Sequence, residues 1–241
     1  MLLLPLTGRR NAGVKFYRMV LVIAASLVSA AAVSLLLTGH RSLALGAVAV
    51  AAVTFGFLAI LRYPRRLIYR LGFSLVIGSQ LVLAIVSFHA AVGPSHPIWS
   101  LVGSASAILL LGSVNLAMIL GHWYLVVRGM PIDPLKRLSL AILASSVGRT
   151  VVVAAALLSI SSAGIGYGTA LHKVMIGDGI FFWMRVGWGL FALLALFPMI
   201  WGTVRIRSTM AATGILYVGV VAAIIGEVLS MILSVTHRLP L

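Results

Sequence analysis

Seven stretches of this chain, approximately 17–38, 43–62, 68–92, 98–127, 134–163, 179–203 and 209–235, are about twenty residues or longer, apolar and nearly free of charge. A helix rises about 1.5 Å per residue, so each run reaches across the roughly 30 Å hydrocarbon core of a bilayer. Lipid offers the backbone no hydrogen bonds, which restricts spanning structures to helices and closed barrels. The runs do not alternate apolar and polar residues as barrel strands do. The expected fold is therefore all-α: a polytopic transmembrane helical bundle of seven spans. Composition agrees, with 62% hydrophobic and 9% charged residues against roughly 25% charged in soluble domains. The connections are short and leave no place for a soluble domain, so residues 1–241 read as one integral membrane domain. No convincing internal repeat is present.

The net charge is +15, and its distribution says more than its size. With the N-terminus inside, 13 of the 18 cationic residues fall on inner segments, among them Arg9, Arg10, Lys15, Arg18, Arg62, Arg65, Arg66 and Arg70. The outer segments hold three, Arg41, Lys173 and Arg238, and two more, Arg149 and Arg185, lie within spans. The positive-inside rule then gives an inner N-terminus and an outer C-terminus. Contact with anionic lipid at the inner face accounts for the basicity, and nucleic acid is not an expected partner. The basic start precedes an apolar run longer than a signal-peptide core, so it reads as an uncleaved first span. A bacterial cytoplasmic membrane is the expected location. The chain has no cysteine, which excludes disulfides, thiolate metal ligands, iron–sulfur clusters and covalent c-type haem.

Only three carboxylates occur, Asp133, Asp178 and Glu227. Asp133, in GMPIDPLKR, suits a helix N-cap followed by proline in the first turn. Asp178 falls at the outer mouth of span six. Glu227 lies deep in GILYVGVVAAIIGEVLSMIL, where an unpaired charge costs about 2.5–3.5 kcal/mol or more. Arg185 stands at a similar depth in the preceding antiparallel span, so an Arg185–Glu227 pair is expected. Gly189 and Ala192 share the face of Arg185 and permit close helix approach. Such a pair is either a permanent brace or a proton-carrying, ligand-binding site. Arg149, nearer the middle of span five, has no carboxylate at its depth and points to an anionic ligand, a haem propionate or a carbonyl-rich site. Gln80 and Asn115 are expected to join it in a midplane polar patch, with simple interhelical hydrogen bonding as the alternative.

His122, in GHWYLVVRG near the inner end of span four, is flanked by Trp123 and Tyr124. An imidazole donor beside two aromatic rings is suited to a quinone, although a histidine at the interface needs no such role. His89, inside the outer end of span three, is the one outer histidine within a span and is the candidate ligand for a haem b. His40, His96, His172 and His237 lie in or beside outer loops without metal-ligand spacing. No nucleophile motif, phosphate-binding loop or paired carboxylate is present, so no catalytic residue and no metal site are assigned.

The last span carries the Gly226–Glu227 pair in an apolar helix followed by a short helical stretch. In this it resembles the terminal helices of membrane anchors of DMSO-reductase-type molybdenum enzymes, over about thirty residues. The resemblance implies a quinone-reactive anchor bound to peripheral redox subunits, and it carries Glu227 across. Seven spans stand where that family has eight, and Ser230 and Met231 occupy the place of its arginine. The leading expectation is a membrane subunit of a respiratory or other electron-transfer complex, binding quinone or haem b and anchoring other subunits. The alternatives are a small proton-coupled transporter or channel, in which Arg149 attracts an anion and Glu227 carries protons, and a purely structural assembly subunit.

Overall fold

A computed structural model describes residues 3–7, 9–61, 66–92, 97–127, 129–161, 172–177 and 179–237. Within them the chain is helical and contains no strand. The seven long helices are α1 (Arg9–Leu37), α2 (Arg41–Ile60), α3 (Arg66–Val92), α4 (Pro97–Val126), α5 (Asp133–Ser161), α6 (Gly179–Arg205) and α7 (Thr209–His237). All seven are long and apolar enough to cross a membrane. Their ends fall close to the expected ones, except that α1 begins earlier. It continues through a break at Gly13, whose φ of 77° and ψ of 162° are not helical. Tyr63, His96, Tyr167 and Asp178, with Arg62, Arg65, Arg128 and Arg238, lie outside the described residues.

The chain forms two compact units, Met1–Ser87 and Phe88–Leu241. In the first, α1 and α2 form a hairpin. Gly39 turns it with φ 82°. Its N–H donates to Leu36 O at 3.2 Å and that of His40 donates to Leu35 O at 2.9 Å. This is the left-handed helix stop that glycine favours. α3 packs on α2 through Phe57, Tyr69 and Phe73, whose rings lie 5.8–6.1 Å apart. The N-terminus folds back: Leu4 and Thr7 are fully buried, and the hydroxyl of Tyr17 donates to Leu4 O at 3.0 Å. Tyr17 is thus a buried clasp.

In the second unit, α4 packs against α5 and α7, and α6 against α5 and α7. The core follows helical spacing. Leu110, Val114, Ala117 and Leu120 face inward from α4, and Leu135, Leu138 and Ile142 from α5. Leu193, Ile200 and Val204 on α6 meet Leu216, Ala222 and Ala223 on α7 in being fully buried. Outward positions are as apolar as inward ones, for example Leu158 at 70% and Phe191 at 69% exposure. A helix hydrophobic all round belongs in lipid.

α6 is not uniform. Gly179–Met184 is α-helical, Arg185–Phe191 is π-helical, and Ala192–Arg205 is α-helical again. The segment RVGWGLF carries two glycines, which lowers side-chain crowding in the wider turn. Gly189 faces Gly226 of α7 so closely that a Cβ built on Gly226 would lie 2.1 Å from the Gly189 Cα. The two backbones are in contact, as small residues permit.

Candidate functional site

The second unit contains a charged cluster buried among apolar helices. Arg149 of α5 is 2% exposed, and it grips Glu227 of α7 with two parallel hydrogen bonds. Nε donates to Oε1 at 2.9 Å and Nη2 to Oε2 at 2.8 Å. Nη2 also donates to Ser230 Oγ at 3.0 Å. Nη1 donates to the Gly103 carbonyl at 3.1 Å and to Ser106 Oγ at 3.2 Å, both on α4. A guanidinium has five N–H groups in a fixed fork, and here each has an acceptor. The pair therefore ties α4, α5 and α7 together and leaves Arg149 no free donor.

Arg185 is the opposite case. It is 1% exposed, and none of its three nitrogens has a hydrogen-bond partner. It begins the π-helical segment, one turn before Gly189, and interacts electrostatically with both Arg149 and Glu227. The expected Arg185–Glu227 pair is thus corrected: Glu227 belongs to Arg149, and among the described residues Arg185 has no carboxylate of its own. Depth along the helices did place Arg185 near Glu227, because Gly189 and Gly226 are in contact. Direction decided the partner. Since Gly226 faces α6, the next residue is turned by about 100° around α7, and Glu227 reaches α5 instead.

Asn115, expected in the same patch, stays apart from this cluster. Ser113 and Ser145 share a hydrogen bond at 2.9 Å, which sets the register of α4 against antiparallel α5. Arg149 then lies opposite Leu109, and Asn115 is about six residues, or ~9 Å, away along α4. Asn115 instead donates to Leu111 O of its own helix at 2.8 Å. Gln80, in the first unit, lies 3.4 Å from Thr54 Oγ1, an interhelical bond of the ordinary kind. Gly103 and Ser106 escaped the sequence reading because an acceptor carbonyl and a lone serine carry no signal until register is known. Ser230 was legible as sharing the face of Glu227.

His122 and Tyr124 lie on different faces of α4. His122 is exposed and Tyr124 is 8% exposed, as expected for positions two apart on a helix. The Tyr124 hydroxyl donates to the Pro131 carbonyl in the α4–α5 connection. Asp133 heads α5 with Oδ1 3.9 Å from Lys136 Nζ, in keeping with a local role. His89 is exposed near the end of α3, as are His40 and His172. Among the described residues no group of three or more metal-ligating side chains occurs. A shallow groove of about 480 Å³ lies along α6, walled by Trp183, Trp188 and Phe191.

No protein-family model, curated protein or solved structure matches this chain.

Proposed function

We propose that this integral membrane protein is a proton-coupled carrier of a small anion, working through Arg149, Arg185 and Glu227. The observation that carries this reading is the unpartnered guanidinium of Arg185. A brace for the bundle needs only Arg149 and Glu227, whose hydrogen bonds are already complete. A second buried cation with no acceptor works against stability, by several kcal/mol on insertion scales, so its use is sought in a ligand. Glu227 is the one carboxylate deep within an apolar run and is the group that can carry a proton there. The short connections between the spans agree with transport of a solute through the bundle. Reconstitution into proteoliposomes tests this. Labelled benzoate should accumulate under an inward proton gradient, and Glu227→Gln should uncouple that uptake from the gradient. Absence of flux for a panel of monoanions would sink the carrier reading.

The electron-transfer reading keeps one observation in its favour. The groove along α6 presents two indoles and a phenyl ring to the lipid side, a surface on which a quinone ring can stack. In that reading the chain anchors peripheral subunits and Arg185 lies on the same helix as the quinone. Quinone analysis and an absorption spectrum of purified protein decide it: neither quinone nor haem b in an intact, active preparation would count against it. The inner face, with its excess of arginine and lysine, is proposed to contact anionic lipid in a bacterial cytoplasmic membrane under either reading.

A further inference from the structure

We infer that Arg185 is the docking point for a single carboxylate group, and that the substrate of the carrier proposed above is a monocarboxylate; the inference rests on that reading. Three independent features lead there. The first is charge. Among the described residues Arg149 and Arg185 are the cations of the buried cluster and Glu227 its anion, which leaves one uncompensated positive charge. A monoanion cancels it. A dianion such as sulfate replaces it with a buried negative charge, and a neutral solute leaves it unpaired, both unfavourable where the dielectric is low.

The second feature is the donor geometry. All of Arg185 Nε, Nη1 and Nη2 are buried and without partners. A planar fork with free parallel N–H groups matches the two oxygens of a carboxylate in the manner that Arg149 already shows with Glu227, at 2.8 and 2.9 Å. The third feature is the neighbourhood. One turn before Arg185 is Phe182, part of a buried apolar cluster with Leu233, against which Leu157 and Val186 pack. One turn after it is the Gly189–Gly226 contact, which carries no side chain. Apolar surroundings favour a weakly hydrated carboxylate with an apolar substituent over a strongly hydrated inorganic anion. The π-helical segment that begins at Arg185 fits a ligand role, since such segments recur at functional sites.

The test uses the full chain in zwitterionic nanodiscs, with benzoate, laurate and sulfate as probes at equal ionic strength. Saturable benzoate or laurate binding is expected by calorimetry, with sulfate at least ten-fold weaker. Arg185→Gln should lower carboxylate affinity at least ten-fold, and Arg185→Lys should restore part of it. Comparable affinity for benzoate and laurate assigns the site to a soluble carboxylate, and binding of laurate alone assigns it to a lipid-borne one. Without ligand, Arg185→Gln should unfold at a temperature no lower than the parent protein. A clear loss there would overturn the inference, because it would mean that Arg185 already has partners within the protein. Equal benzoate affinity in Arg185→Gln, or sulfate binding as tightly as benzoate, would overturn it too. Binding without flux removes the carrier and leaves the site, whereas flux unaffected by Arg185→Gln removes the site and leaves the carrier.

Discussion

At Arg149 every N–H finds an acceptor, and at Arg185 none does. That contrast separates the paired from the unpaired charge in the bundle. Breaking a buried pair by removing one partner leaves the other charge stranded, typically at about 3–5 kcal/mol, whereas replacing both by apolar groups costs far less. Glu227→Leu should therefore destabilise the protein by roughly that amount, measured by reversible unfolding in mixed micelles. The double variant Arg149→Met with Glu227→Leu should lose less than Glu227→Leu alone. A double variant as unstable as the sum of the two single ones would show that the pair does not act as a unit. The presence of these charges in apolar runs was legible from the sequence. Their pairing was not, because one residue of helical rotation sends Glu227 towards α5 and away from α6.

At the scale of elements, the close α6–α7 crossing is set by two glycines. A side chain at Gly226 meets the Gly189 backbone, which cannot yield as a flexible side chain can. Gly226→Leu should separate the helices and cost on the order of 3 kcal/mol, with loss of thermal stability as the readout. A stability equal to the parent's would show that the crossing is not held at this contact. The α6–α7 turn offers the opposite opportunity. Arg207 there has φ 58°, and its N–H and that of Ser208 donate to Val204 O and Thr203 O at 3.1 and 2.9 Å. The geometry matches that at Gly39, yet a residue with a Cβ pays about 1–2 kcal/mol for it. Arg207→Gly should accordingly stabilise the fold by about 1 kcal/mol. Helix ends were legible to within a few residues from apolar run lengths. The Gly13 break and the π-helical turn were not, since both depend on how neighbours pack rather than on composition.

For the whole molecule, the charge asymmetry makes a topological statement that a reporter can read. A cytoplasm-active reporter fused to the N-terminus should be active, and the same reporter on the C-terminus silent, with the reverse result for a reporter active outside. Moving arginines from the α2–α3 connection to the α1–α2 hairpin should weaken that bias. An N-terminus found outside in the parent chain would contradict the inner placement of its arginines and lysines. Seven apolar helices follow from the sequence by itself, because run length against bilayer thickness and the backbone's need for hydrogen bonds in lipid leave no other spanning structure. Tertiary structure alone decided which arginine holds Glu227, that Asn115 bonds within its own helix and Gln80 to Thr54, and that Tyr124 secures a connection at Pro131. Those outcomes depend on register and helix rotation between segments tens of residues apart. A shift of one residue turns a side chain by about 100°, and hydropathy, which reports only that a helix lies in lipid, is nearly blind to such a turn.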